Sequence, residues 1–426
     1  MTTAATRQLA VLGGDPVRTA PFAEAPPVGR EEAEAVQRVL ESGVLSRFLA
    51  AWGPDFLGGP EVQALEQAWA ERFGAPYAVS VNSATSALYA AIQAAGCGPG
   101  DEVIVSPYTM AASATCALVS GAVPVFADID PATLCLDPDS IRARVTPRTK
   151  AIVVVHLLGC PADMDAIMAI AREHGLVVIE DAAQAPGGML GGRTIGTIGD
   201  VGVFSLNYHK TIHSGEGGVA VTGDARLAER LRLVRNHGEV VTGREGGPDQ
   251  PDILGFNYRM TEVEAAIARV QLGRLDGLTE PRIAHAHRLS ARLAGLPGLT
   301  VPHEPAGARH VYYLYGLRYD AEATGVPRER VVEAVRAEGI PLAQGYVKPL
   351  DLEPYYQERR GSCAFNCPRY EGDVSYGRGL CPVAERLHEH ELLTTNLCHA
   401  GLSEADVDDV ATAFEKVFEH LDALRG

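Results

Sequence analysis

The sequence predicts an α/β fold: a mostly parallel central sheet flanked by helices, followed by a smaller C-terminal α+β domain. Three observations carry this. Short apolar runs of buried-strand type recur at 102–106, 124–127, 151–156, 176–180 and 201–206. Helical stretches stand between them, such as 85–95 stopped by Gly96 and 163–174 stopped by Gly175. The pattern changes near residue 240, where a polar loop rich in Gly and Pro, 242–252, precedes a long helix from about Thr261 to Leu278. Strands that alternate with helices are joined by crossovers, and crossovers place helices on both faces of a parallel sheet.

In chain order, residues 1–30 read as an N-terminal arm, extended because Pro and Gly dominate 13–29. A short helix from Glu31 to Glu41, closed by Gly43, opens a large domain that spans 31–281. A small domain then occupies 282–426, with an aromatic strand at 311–319 and a last helix from Glu404 to about Leu421. Ser403 caps that helix and Asp406 supports its first turn.

Composition bounds the function. A chain of 426 residues that is 46% hydrophobic has the apolar material for cores of this size. A formal net charge of -17 with no basic stripe speaks against a nucleic-acid binder. The first residues hold no apolar core long enough for a secretion signal, and no run reaches the roughly 18 apolar residues of a membrane span. A soluble cytoplasmic enzyme is expected. The eight cysteines show no paired spacing, so reduced thiols are expected. Cys363, Cys367, Cys381 and Cys398 follow no zinc pattern, and His388 with His390 does not form the His-Glu-x-x-His motif. No metal is expected.

Three segments at the carboxyl ends of predicted strands carry chemistry, where open α/β sheets place their ligands. In the first, Asn82-Ser83-Ala84-Thr85 opens a helix directly after a short strand. Free amides at Ala84 and Thr85, with the helix dipole behind them, make an anion site, although plain capping by Ser83 or Thr85 explains the same residues. In the second, a strand ends in Glu180-Asp181. A buried carboxylate needs a cationic or hydrogen-bonding partner, and a protonated pyridine nitrogen suits Asp181. In the third, Lys210 follows a buried strand and precedes Ser214-Gly215-Glu216-Gly217-Gly218, with Ser205 placed to donate to a phosphate. Glycines there permit close backbone approach. Anion cradle, aspartate and lysine, in that order, are what pyridoxal phosphate requires of a protein.

With Gly13-Gly14-Asp15-Pro16-Val17-Arg18, 124–130, Glu180–Gln184, 204–218 and 255–260, these segments resemble the DegT-type sugar aminotransferases of the aspartate-aminotransferase fold type, PLP fold type I. The likeness runs from about residue 10 to 420. The opening GGDPVRT is most similar to the branch that aminates keto-cyclitols such as scyllo-inosose, together with aminohydroxybenzoate synthases. The resemblance implies that Lys210 binds the cofactor covalently and then carries the proton. It implies that Asp181 keeps the pyridine nitrogen protonated and that Gln184 bonds the phenolic oxygen. Ala84, Thr85 and Ser205 would hold the phosphate, and Asn257 would reach it from a neighbouring subunit.

Two positions depart from the family pattern. Ala84 replaces a glycine, and Met110 stands where an aromatic residue usually covers the cofactor ring. Either the Met110 thioether packs there or Tyr108 supplies the stack. The reaction implied is a two-stage transamination from an amino acid, L-glutamine by resemblance, to a keto-cyclitol or keto-sugar in antibiotic or other secondary metabolism. An aminohydroxybenzoate-synthase-like or dehydratase-like enzyme is the alternative, and a scaffold protein retaining the fold is the non-enzyme alternative. Dehydratase relatives carry histidine in place of Lys210. His310, Tyr346 and Lys348 are candidates for acceptor contacts, each with a structural role equally open. A homodimer is expected, because the 242–252 loop has no evident core of its own to pack on.

Overall fold

The computed structural model describes residues 8–24, 28–244 and 246–425. The start of the chain, read above for a secretion signal, and parts of the expected arm and loop lie outside the described residues. The central sheet has seven strands, in the spatial order Tyr77–Val81, Gly218–Thr222, Val201–Ser205, Val177–Asp181, Thr149–Val155, Glu102–Val105 and Val123–Phe126. Gly218–Thr222 runs antiparallel to both its neighbours; the remaining pairs are parallel. The strands are buried along almost their whole length, as the unbroken apolar runs require of a sheet covered on two faces. The five apolar runs expected in the large domain are all strands, within two residues at each end, whereas the aromatic strand expected at 311–319 begins only at Tyr315. Gly218–Thr222 was hidden behind the glycine-rich turn that leads into it.

Helices start and stop where side chains dictate. Asp163 caps Met164–His174 by accepting from the Ala166 amide, and Gly175 ends it in a left-handed conformation. Ser403 and Asp406 form a reciprocal capping box on Glu404–Glu419. The helix expected to end near Leu278 runs instead from Glu262 to Leu293, with Pro281 inside it. A proline removes one internal hydrogen bond, and here burial on both sides of it outweighs that loss. Leu272 and Leu275 lie in the core beneath the large sheet; Ala286, Leu289 and Leu293 lie in a second core.

That second core fills the space between a four-stranded antiparallel sheet and its helices. The strand order is Leu299–Thr300, Tyr315–Tyr319, Leu392–Thr395, Ala343–Gln344. The intervening segment does not stay with this sheet. Leu350, Tyr356, Phe365, Cys381 and Leu387 pack into the large core. Chain order therefore does not separate the two cores, and Cys381 and Cys398 sit in different ones.

The N-terminal arm is fastened to the small sheet's side of the molecule. The fully buried Glu338 carboxylate accepts from the amides of Ala10 and Val17 and pairs with Lys416 at 2.8 Å. The 242–252 loop is also tied to its own chain, contrary to the expectation from its composition. Arg230 binds Asp252 and Gln250 and donates to the Ala94 carbonyl, anchoring the loop on the end of the Ala84–Ala94 helix.

Candidate active site

The sheet order brings the three chemical segments together. Val81 and Ser205 both pair with Gly218, and the next strand over ends at Asp181. All lie at one edge of the sheet. A cavity of about 190 Å³ opens there, lined by Ser83, Ala84, Thr85, Asp181, Gln184, Ser205, Lys210, Met110 and Tyr346 among others.

At its floor, Ser83 is extended and its hydroxyl accepts from the Ser86 amide, which fixes the first turn of Ala84–Ala94. The amides of Ala84 and Thr85 bond to no protein atom among the described residues. They form an anion site at the positive end of the helix. Gly218 is what allows the sheet to come this close: a Cβ on it would lie 2.5 Å from the Ala84 nitrogen and from the Ser83 carbonyl carbon.

The two carboxylates of Glu180-Asp181 point to opposite faces of the strand, as alternation demands. Glu180 is fully buried and saturated: it accepts from the amides of Gly196, Ile198 and Gly199 and meets His156 Nε2 at 3.0 Å. The other ring nitrogen, His156 Nδ1, accepts from the Ala162 amide, so Nε2 carries the proton and donates. Asp181 is the carboxylate at the cavity. Ser113 donates to its Oδ2 at 2.7 Å, and the Ala183 amide to Oδ1 at 3.2 Å. Ser113, absent from the sequence reading, carries no motif and becomes visible only through this contact.

Lys210 sits in the turn after Val201–Ser205, where its amide donates to the Asn207 carbonyl. Its Nζ makes no hydrogen bond or ion pair among the described residues and lies 4.8 Å from the centre of the Tyr313 ring. Burial pushes its pKa down to about 8, against the opposing pull of the Asp181 charge. Such an amine holds a substantial neutral fraction at ordinary pH and is a ready nucleophile. On its other side opens a larger cleft of about 790 Å³, walled by Arg18–Glu24 of the arm, by Tyr313, Arg282 and Leu278, and by Asn396, Leu397 and His399.

The remaining predicted residues divide. Gln184 is at the cavity: its Oε1 accepts from the Leu158 amide and its Nε2 donates to the Tyr346 hydroxyl at 3.0 Å. Tyr108 does not line the cavity. It is fully buried, and its hydroxyl accepts from the Tyr346 amide, so it braces Tyr346 from behind. Met110, 62% exposed, is the side chain at the mouth. Asn257 also lies outside the cavity of its own chain, exposed beside Asn236, with which it forms an isolated bridge. His310 is stacked on Tyr312 and accepts from its amide; burial drives its pKa down to about 3, and it reaches neither cavity. Lys348 is near Glu353 at 3.6 Å and faces a different surface pocket.

An amine with no hydrogen-bond or ion-pair partner among the described residues, an anion cradle and a buried carboxylate, grouped at the carboxyl edge of an open α/β sheet, define the class as a pyridoxal-phosphate enzyme. The residues fit that group: the cradle has unused amides, the carboxylate has room beside Ser113 for a further donor, and the amine is unencumbered. The model of the DegT/DnrJ/EryC1/StrS aminotransferase family matches residues 28–415, and the chain belongs to this family. It is similar to an L-glutamine:2-deoxy-scyllo-inosose aminotransferase from Streptomyces kanamyceticus, 38% identical over 97% of each chain. It is also similar to the spore coat polysaccharide biosynthesis protein SpsC of Bacillus subtilis, 37% identical over 93% of this chain and 97% of that one. Among solved structures, DesV of S. venezuelae in complex with a ketimine intermediate matches with a TM-score of 0.78 and 34% identity, covering 92% of this chain and 95% of that one. The protein is thus a pyridoxal-phosphate-dependent aminotransferase.

Proposed function

We propose that this aminotransferase moves the amino group of L-glutamine to a keto-cyclitol, in the cytoplasm and as a step of aminocyclitol antibiotic formation. The observation that carries the reading is near full-length similarity to aminotransferases named for that donor and a deoxy-inosose acceptor. A roomy cleft beside Lys210, with Arg18, Arg282, Asn396 and His399 among its walls, supports it. Bound pyridoxal phosphate supplies the electron sink that makes the substrate's C–H bond acidic. The chain's own residues do the rest. Ala84 and Thr85 amides with the Ser205 hydroxyl hold the phosphate, and Asp181, steadied by Ser113, keeps the pyridine nitrogen protonated. Gln184, oriented by the Leu158 amide, offers its remaining N–H to the phenolic oxygen. Lys210 Nζ takes the proton from the donor carbon in the first half-reaction and returns one to the acceptor in the second.

The reading includes a homodimer in which Asn257, exposed on its own chain, reaches the partner's phosphate site. The test is a screen of amino donors against polyhydroxy ketones, read by mass spectrometry. L-glutamine with a cyclic ketone should give an amine in place of the carbonyl. Rapid turnover with L-glutamate and a nucleotide-linked keto-sugar, without reaction of cyclic ketones, would move the assignment to that substrate class. An aromatic product would move it to the aminohydroxybenzoate synthases.

A further inference from the structure

We infer that Arg282 is the binding site for the α-carboxylate of the amino donor, and that it serves the first half-reaction alone; this rests on the proposed amino-acid donor. Any amino acid brings a carboxylate one carbon from the nitrogen it gives up, so a cation must stand close to the reacting amine. The cleft beside Lys210 contains few that qualify. Arg18 is already neutralised by Asp406 and Asp409, each at 2.8 Å. His209 and His399 have their pKa values pushed down, first by burial and then by the neighbouring cations Lys210 and Arg282 respectively, so they are neutral at working pH. Lys210 is the reacting group.

Arg282 has no carboxylate partner among the described residues. Its Nη1 donates to the carbonyls of Tyr312 and Tyr313, at 3.2 and 3.1 Å, and more distantly to Cys398 Sγ at 4.0 Å, all uncharged acceptors, and its buried Nε has no acceptor among the described residues. A half-buried guanidinium without a counter-ion is costly unless a ligand completes it, and it matches a carboxylate in shape. Tyr313 fixes the geometry: its carbonyl holds Arg282 while its ring packs beside Lys210 Nζ. The guanidinium is therefore tied to the residue that flanks the reacting amine. Glu24, at the cleft's exposed rim, stands in water and leaves the inner charge uncompensated. A keto-cyclitol carries no charge to pair with this cation.

The experiment compares L-glutamine with its α-amide, in which the carboxylate is a neutral carboxamide, in single turnovers of the loaded enzyme. The second half-reaction is followed separately from the pyridoxamine form with a cyclic ketone. Wild type should prefer the acid by about 10- to 100-fold, the worth of a charge-assisted hydrogen bond. Arg282→Gln should lose that preference through a raised half-saturation for L-glutamine, with the saturating rate and the second half-reaction little changed. Arg282→Lys should recover part of the preference. Retained preference in Arg282→Gln would overturn the inference. So would an equal loss in both half-reactions, which would make Arg282 only a support for the Tyr312–Tyr313 backbone. Should wild type use another amino acid, the L-glutamine reading falls, and the acid and amide of that donor decide on Arg282 in the same way.

Discussion

Lys210 shows how environment turns a common surface residue into a reagent. An ammonium ion loses hydration when buried, and the Asp181 charge compensates only in part, so the proton is held less tightly. Below about pH 8 the ammonium form predominates and only the neutral fraction attacks; above it the free amine predominates. We predict that apoenzyme captures pyridoxal phosphate at a rate that rises with a midpoint near pH 8, well below that of an ordinary lysine, and that borohydride then fixes the label on Lys210. Labelling of another lysine would refute the assignment. Asp181 belongs to the same scale. Its Asn variant keeps the Ser113 contact in shape but cannot hold a pyridinium charge. Turnover should fall by about 100-fold or more with the melting temperature nearly unchanged, since a charge placed for catalysis is worth that much. A near wild-type rate would reduce Asp181 to a capped strand end.

At the scale of elements, the segment between Ala343–Gln344 and Leu392–Thr395 crosses from the small sheet into the large core and carries Tyr346 to the cavity on the way. It brings Asp351 with it, fully buried with neither carboxylate oxygen hydrogen-bonded. Burial first, then the charges of Glu385 and Asp128, push its pKa up to about 7, with Arg378 opposing. The sign follows from linkage. In the unfolded chain Asp351 ionises near pH 4, but in the folded protein it stays protonated to about pH 7. Its contribution is therefore favourable at low pH and is lost as pH rises through 7. Asp351→Asn should raise the melting temperature at pH 8 and leave it nearly unchanged below pH 4. Equal shifts at both pH values would show that packing, and not ionisation, is at stake.

For the whole molecule, one chain supplies cradle, carboxylate and lysine, while Asn257 is exposed outside the cavity they line. If two chains complete each other's sites, inactive partners should rescue one another. Mixing Lys210→Ala with Asn257→Ala under conditions of subunit exchange should give heterodimers with one intact site, and about a quarter of wild-type activity at equal mixing, because half the dimers are mixed. No recovery, with exchange verified by mass, would place Asn257 outside the site. The anchored base of the 242–252 loop shows that this arrangement does not need a loose loop: Arg230 holds Asp252 to its own chain while Asn257, a few residues on, remains exposed.

The sequence by itself determined most strands of the large sheet, several helix ends and the candidate chemistry, because these are local. Apolar runs without alternation must be buried on both faces, Ser403 and Asp406 must cap, and a lysine between a buried strand and a glycine turn has few uses. It also carried the resemblance that named Asp181, Gln184 and Lys210 before any contact was known. What only the tertiary structure decided is which residues meet across long stretches of chain. Ser113 reaches Asp181, Tyr108 braces Tyr346 and leaves the cavity mouth to Met110, and the arm joins Tyr313 and Arg282 around the cleft. Pro281, which reads locally as a stop, is carried through because apolar burial on both sides of it exceeds one lost hydrogen bond. Periodicity reports which face of an element is buried, but not what buries it, and that choice is made by packing.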